Sequence, residues 1–386
     1  MYYIGLMSGT SADGIDLALV SFTGNTAPEN SDIQLVASYF QPYQADLARR
    51  IKSLYNSGED EIDLSGSLDI ELAHVFSRAV AAFLKQQALT PQDIIAIGNH
   101  GQTIRHRPTV KFPFTLQIGC SQTLACLTGI KVIGQFRQKD IALGGQGAPL
   151  VPAFHQKIFR STKQDVFFVN IGGIANISYL PVKKGDEVQG FDTGPGNALL
   201  DDWFVHCHAG VSIQYDESGQ WASSGELHEA LLAQLLTDPY FALPAPKSTG
   251  REHFTFDWLK QHLISIEETG IKPIPQQDIQ ATLATLTAIT IAQEIKQLSP
   301  CAKVITCGGG VHNHYLMRQL ADHLNDVDNQ HNYSLVSASS LGIDSDALEA
   351  MAFAWLAFAQ INGLPSNMPS VTGASRACSL GLSYLP

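Results

Sequence analysis

One pattern constrains this chain more than any other, because it occurs twice. Residues 2–7 form an apolar run, Ser8-Gly-Thr-Ser-Ala-Asp-Gly14 follows as a turn, and residues 15–22 are apolar again. Half a chain later the layout repeats. Residues 166–169 are apolar, Asn170 takes the polar place that Ser8 has, Ile171-Gly-Gly-Ile-Ala175 is the turn, and residues 176–180 resume. Glycine-, serine- and aspartate-rich turns between apolar runs predict β-hairpins. Two such units so far apart predict an internal duplication into two α/β halves, against the plainer alternative of two unrelated hairpins. A length of 386 residues accommodates this, at roughly 150 residues per domain. The boundary is expected between 144 and 162, where GGQGAP and two prolines fall, giving lobes 1–150 and 151–386.

Helical spacing marks 47–55 and 65–87, the latter through Leu68, Leu72, Val75, Phe76, Ala79, Val80 and Phe83. Thr90-Pro91 reads as the start of a short helix. Strands are predicted at 94–97, 114–118 and 132–136. The second half reads as helices at 226–236, 257–267 and 277–298, a strand at 304–307 ending in Gly308-Gly-Gly310, a helix at 315–324, a strand at 334–336 and a helix at 344–360.

Composition narrows the function class. Hydrophobic residues at 45% and charged residues at 16% suit a packed core. A net charge of −12 with no basic run makes nucleic acid an unsuitable partner. Phosphate would have to be bound locally, by backbone N–H groups. Asp13 and Asp16 interrupt any signal-peptide pattern, and the longest apolar stretch, 350–359, is too short to span a bilayer. The six cysteines show no CxxC and read as reduced thiols. A cytoplasmic protein without a membrane partner is expected.

Three glycine-bearing turns follow apolar strands: Ser8 to Gly14, Ile171 to Ala175, and Gly308 to Gly310. Glycine lets backbone amides approach an anion. One such turn says little, but three in this order suggest a nucleotide held in a cleft between two related lobes. No GxxxxGK[ST] is present, and no GxGxxG opens a helix after the first strand. His206-Cys207-His208 and His312 with His314 lack the spacing of a zinc site.

A series of motifs then carries a family resemblance. GLMSGTSADGID (5–16), NHGQT (99–103), GGQGAPLVP (144–152), NIGGIANIS (170–178), FDTGPGN (191–197), KSTGREHF (247–254), CGGGVHN (307–313) and LEAMAFAWLA (348–357) appear in order. Together they closely resemble the anhydro-N-acetylmuramic acid kinase family, within the actin, sugar-kinase and Hsp70-like superfamily. The resemblance implies a two-lobed, duplicated actin-like (ribonuclease H-like) α/β fold with an interlobe cleft. It also implies an ATP- and Mg²⁺-dependent kinase of cell-wall sugar recycling, and a homodimer. One departure is visible: the family usually shows Asp-Phe-Arg where this chain has Gln135-Phe136-Arg137.

The implied substrate, 1,6-anhydro-N-acetylmuramic acid, has no free 6-hydroxyl, because O6 is tied to C1. Water must attack C1 while O6 takes the γ-phosphoryl group, joining an inverting-glycosidase half to a phosphoryl-transfer half. Asp192 is the position the family motif gives to the base; on residues alone it could equally be an Asx-turn aspartate capping a helix at 197–204. The resemblance puts the phosphates on Gly9, Thr10, Ser11, Ala12, Asp13, Gly14, Ile15 and Asp16. Gly172 and Gly173 form a second phosphate turn, and Gly308, Gly309, Gly310 and Asn313 the adenosine-side motif. Asp13 holds Mg²⁺ through water or merely stabilises its turn. Gln102, Thr103, Arg137, Asp140, Gln146 and Glu349 are candidates for the sugar. Arg137 suits the lactyl carboxylate, or else pairs structurally with Asp140; Glu349 binds sugar hydroxyls or partners a helix dipole. His100 and His106 touch substrate or are structural. Residues 247–252 could close on the nucleotide, or Lys247 and Arg251 could simply be solvated. Rival readings are a kinase of another amino sugar or hexose, an actin- or Hsp70-like ATPase, and a nicotinamide dehydrogenase.

Overall fold

A computed structural model describes residues 2–9, 11–23, 32–159, 161, 163–183, 186–210, 213–251, 253–268, 270, 272–325, 331–345 and 347–386. The chain forms two compact units, Met1–Ile158 with Asp346–Pro386, and Phe159–Ser345.

The first unit is built on strands β1 (Tyr2–Ser8), β2 (Gly14–Thr23), β3 (Asp32–Pro42), β4 (Ile94–Arg107), β5 (Phe114–Ile118) and β6 (Val132–Gly134). The second carries β7 (Asp165–Ile171), β8 (Ile174–Leu180), β9 (Gln189–Pro195), β10 (Cys301–Cys307) and β11 (Asn332–Ser337), while β12 (Leu382–Tyr384) returns to the first sheet beside β6. The sheets read β12-β6-β4-β1-β2-β3, with β5 on β4, and β11-β10-β7-β8-β9. Pairings correspond one to one. β1–β2 and β2–β3 are antiparallel, as are β7–β8 and β8–β9. β1–β4 and β4–β6 are parallel, as are β7–β10 and β10–β11. Each half thus orders its five common strands as third, second, first, fourth, fifth, which is the duplication inferred from the two hairpins.

Each unit has its own core. In the first, Ile4, Leu6, Leu17, Leu72, Phe76 and Phe83 are buried where the helix Glu61–Gln86 covers the sheet. In the second, Phe167, Val169, Leu286, Ile291 and Ile295 are buried around the helix Gln276–Leu298.

The helix Leu348–Ile361 buries nearly its whole length. It packs on β1, β2 and β4, so it belongs to the first unit, whereas the sequence division carried it into a lobe of 151–386. Two glycines explain the seating. A Cβ at Gly5 would fall on the Ala350 carbonyl, and one at Gly98 on the Phe353 carbonyl. Only hydrogen at these positions lets the helix backbone approach the strands.

Several elements differ from their sequence signals. No residue of β3 is fully buried: it alternates between exposed and half-buried residues, so it lacks the apolar run that marks β1 and β2. β4 runs ten residues past the predicted end at 97, through the polar NHGQT segment, because its buried amides find partners. β9 holds FDTGP, so Asp192 stands on a strand and not in the Asx-turn that was the alternative to its role as base. The helices Ser121–Thr128, Gln138–Ala142 and Val151–Phe159 have short or mixed apolar patterns that gave no signal.

Candidate active site

The first turn is tied down from below. Ser8 Oγ lies 2.6 Å from Gln102 Oε1, 2.7 Å from Tyr43 Oη and 3.1 Å from the Gly14 carbonyl. Gln102 Nε2 donates to the Gly9 carbonyl at 3.0 Å and to Tyr55 Oη at 3.1 Å. Gln102 is fully buried, and both ends of its amide are spent on the turn. It is therefore a strut under the hairpin rather than an open sugar ligand. Thr103, half-buried beside it, accepts from Gln117 Nε2 at 3.2 Å.

On the outer side, Ser11 and Asp13 are exposed, and Ser11 Oγ donates to Asp13 Oδ1 at 2.7 Å. Ala12 takes a left-handed φ of 50° and donates to the Gly9 carbonyl at 3.1 Å. Gly14 and Ile15 are buried, and Asp16 pairs across the hairpin with Met7. Thr10 lies outside the described residues. Burial, and then the Asp13 charge, push the Tyr55 phenol up to about 12.

A second cluster surrounds Arg137, at the start of the helix Gln138–Ala142. Its Nε and Nη2 lie 3.2 and 2.9 Å from His100 Nε2, and Nη1 donates to the Gly147 carbonyl at 2.8 Å. His100 Nδ1 is 2.8 Å from the Gly101 carbonyl. The ring therefore carries its proton on Nδ1 and accepts at Nε2. Burial, reinforced by Arg137, holds it neutral, well below the usual histidine range. Burial also draws the Arg137 guanidinium down to about 10, against the opposing pull of Glu349, so it stays charged at neutral pH. Glu349, in the first turn of the helix Leu348–Ile361, presents accessible surface, yet crowding by protein raises its pKa more than Arg137 lowers it. His106 Nδ1 lies 3.1 Å from Thr115 Oγ1, and burial lowers that ring to about 4.

Asp140 does something other than expected. It is completely buried. Its Oδ1 accepts from Asn367 Nδ2 and Thr372 Oγ1, both at 2.8 Å, and its Oδ2 from the Gly147 N–H at 2.8 Å. Asp140 and Arg137 thus hold Gly147 from either end, one through its N–H and the other through its carbonyl, instead of pairing with each other. The carboxylate fastens GGQGAP to the C-terminal segment and has no face for a sugar. Gln146 is exposed beside it, its N–H bonded to the Thr372 carbonyl at 2.8 Å. Gln135 is exposed with a φ of 57°. Aspartate tolerates that left-handed backbone better than most residues, so a carboxylate here has a conformational use quite apart from chemistry.

In the second unit Asp192 stands on β9, opposite Asn176, three residues past Gly173. Its Oδ2 accepts from Ser248 Oγ at 2.8 Å and from the Thr249 N–H at 3.0 Å. Its backbone is gripped as well: the N–H donates to the Lys247 carbonyl at 3.0 Å, and Tyr240 Oη donates to its C=O at 2.7 Å. The helix Ala198–Cys207 starts at Asn197, so Asp192 is not its cap. Lys247 is buried rather than solvated. Its ammonium lies 2.6 Å from Glu294 Oε1 on the helix Gln276–Leu298 and 5.1 Å from the Tyr240 ring centre. Tyr240 and Glu294 gave no signal in the sequence: neither falls in a motif, and Glu294, among Gln293, Lys296 and Gln297, reads as part of a solvated helix face.

The other two glycine turns meet beside this loop. Backbone N–H groups of Gly196, Asn197 and Ala198 donate to the Gly172 and Gly173 carbonyls at 2.7–3.2 Å. Arg251 leans over the turn, its Nε 3.9 Å from where a Cβ on Gly173 would sit. Gly308, with φ 81°, and Gly310 press on the end of β7, where a Cβ would strike the Asn170 amide or the Ile171 side chain; Gly309 faces the Asn197 amide. Asn313 caps the helix His314–Leu324, its Oδ1 accepting from the Leu316 N–H at 3.0 Å. Beside it, Gly219, Gln220, Ser223, His314, Tyr315 and Arg318 line much of a recess of about 450 Å³.

Among the described residues no group of three or more His, Cys, Asp or Glu is placed to hold a metal ion. No described helix is long and apolar enough to cross a membrane.

Comparison with known proteins places these features in one family. The model of the anhydro-N-acetylmuramic acid kinase family matches residues 1–386. A curated anhydro-N-acetylmuramic acid kinase of Colwellia psychrerythraea is 55% identical, covering 100% of this chain and 97% of its own. One of Haemophilus influenzae is 46% identical, covering 98% and 97%. Among solved structures, the activator of the 2-hydroxyisocaproyl-CoA dehydratase from Clostridium difficile, with bound ADPNP, is similar at a TM-score of 0.44 and 14% identity, covering 93% of this chain and 94% of that one. That likeness is too slight to carry anything over. The whole-length family match and the curated relatives are decisive: this chain belongs to the anhydro-N-acetylmuramic acid kinase family and is a sugar kinase.

Proposed function

We propose that the protein converts 1,6-anhydro-N-acetylmuramic acid, ATP and water to N-acetylmuramic acid 6-phosphate and ADP, with Asp192 as the base. Water oxygen bonds to C1 as the C1–O6 bond breaks. O6 bonds to the γ-phosphorus as its bond to the ADP oxygen breaks. One proton of the water passes to Asp192 and then to solvent. The observation that carries this reading is the fixation of Asp192. Two donors orient one carboxylate oxygen, and two backbone hydrogen bonds hold the residue. A base must be held within hydrogen-bond reach of its water.

The glycine turns at 8–14 and 172–173 take the phosphates through backbone N–H groups. The recess beside Asn313 takes the nucleoside end. Arg137 and Glu349 serve the sugar, the guanidinium toward its carboxylate and the carboxyl toward hydroxyls. His100 presents Arg137 to the lactyl group by accepting two of its N–H bonds. Mg²⁺, when bound, neutralises phosphate charge. The exposed Asp13 carboxylate fits an outer contact through water, as suits an ion that keeps most of its hydration and rests mainly on nucleotide phosphates. Six free cysteines and the use of ATP suit the cytoplasm.

Asp192→Asn tests the assignment. Turnover should fall by ~10³-fold or more while ATP still binds, since general base catalysis contributes about 10²–10⁴. Turnover within a few-fold of the parent would exclude Asp192 as the base.

A further inference from the structure

The loop that holds Asp192 also reaches the second glycine turn. Lys247 anchors it through the buried pair with Glu294, their side chains 3% and 11% exposed. Ser248 and Thr249 then donate to Asp192. The Gly250 carbonyl accepts from the N–H groups of His253 and Phe254, which turns the chain, and Arg251 projects over Gly173. The Thr249 hydroxyl is buried in the middle of this loop without a hydrogen-bond partner among the described residues.

Arg251 differs in kind from Lys247. Its side chain is 62% exposed, and its one ion pair among the described residues, with Asp202, is long at 3.5 Å. So long and exposed a pair holds weakly, and a better anion displaces it readily. A phosphoryl group is that anion, because a planar guanidinium fork matches two of its oxygens. Lys247, the loop's other cation, is committed to Glu294 and cannot serve.

We propose that Arg251 meets the transferred phosphoryl group at the Gly172–Gly173 turn, so that the loop 247–251 sets the base and the phosphoryl group in one frame. This rests on the reading of that turn as a phosphate site. The chemistry is the reaction already written. Arg251 exchanges no proton and makes no bond; it neutralises charge on the γ-phosphoryl oxygens while O6 replaces ADP. Asp202 holds the guanidinium beside the turn until the nucleotide arrives.

Three forms of the enzyme test this: parent, Arg251→Gln and Arg251→Lys. The readouts are kcat and the calorimetric affinities for ADP and for a non-hydrolysable ATP analogue. Arg251→Gln should lower kcat by ~100-fold or more, as loss of an arginine at a transferred phosphoryl group does. It should weaken the analogue about tenfold while leaving ADP within about twofold, because only the analogue carries the third phosphate. Arg251→Lys should recover part of kcat by restoring the charge without the fork. Equal weakening of ADP and analogue, or kcat within threefold of the parent, would overturn the proposal. Asp192→Asn run in parallel keeps the two assignments apart. The affinity difference between ADP and analogue does not depend on the base, so it stands or falls separately from the turnover of Asp192→Asn.

Discussion

Replacing Glu294 by glutamine would leave the Lys247 ammonium buried without its counter-charge. The two side chains are 3% and 11% exposed, and their charged atoms are 2.6 Å apart. At an effective dielectric of about 20, charges at that separation attract by about 6 kcal/mol. Desolvation costs several kcal/mol for each ion, so the intact pair is near balance, but removing one partner abandons the attraction and keeps the other ion's penalty. The Phe241 carbonyl at 3.3 Å and the Tyr240 ring compensate only in part. Glu294→Gln should therefore destabilise the second unit by about 3–5 kcal/mol. Urea unfolding followed by tryptophan fluorescence reads this directly, since Trp203, Trp221 and Trp258 lie in that unit and only Trp355 in the other. The double replacement Lys247→Met with Glu294→Leu should return stability to within about 1 kcal/mol of the parent. A single variant that loses less than about 1 kcal/mol, or a double variant no better than the single, would refute the reasoning.

Other expectations follow from the same geometry. Gly5→Ala would drive a methyl group into the Ala350 carbonyl, and a loss of about 3 kcal/mol or a failure to accumulate folded protein is expected, read by thermal melting. Thr372→Val removes one donor from the buried Asp140 carboxylate and should cost about 1–3 kcal/mol in urea, with KM for the sugar unchanged, because Asp140 fastens a loop and does not touch substrate. Asp201 has its pKa raised to about 7, chiefly by burial, with Arg251 opposing and Asp202 and Asp216 adding to it. The folded state then binds more protons than the unfolded one between the ordinary aspartate value and about 7, so this stability is present in acid and is lost as pH rises through about 7. Asp201→Asn, which mimics the protonated form, should raise the melting temperature relative to the parent at pH 8 and leave it nearly unchanged at pH 4.

The duplicated sheet was legible because both hairpins pair short apolar runs with turns that only glycine and small polar residues tolerate. The long helices were legible for a similar reason: Leu68 to Phe83 must repeat at helical spacing to cover a sheet. β3 and β9 were not, because one face of β3 meets solvent and β9 carries Asp192 and two glycines where a strand would show apolar residues. At the site, motifs showed which polar residues matter but not which way they face. Asp140 and Gln102 looked like Arg137 and Glu349 in the sequence. Burial and partners separate them, and those depend on residues as distant as Asn367, Thr372 and Ser8. The loop 247–251 was visible as a motif, yet two of its three holds on Asp192, the Thr249 N–H and the Lys247 carbonyl, are backbone groups, which no side-chain pattern can announce.

The central claim is that water attacks C1 while the ether oxygen receives the phosphoryl group. Turnover in ¹⁸O-enriched water, quenched early and read by mass spectrometry of product fragments, tests it most directly. One heavy oxygen should appear at C1, in excess of what pre-formed product gains by exchange over the same interval, and none in the phosphoryl group. Heavy oxygen in the phosphoryl group, or a C1 oxygen no richer than the exchange control, would contradict the account.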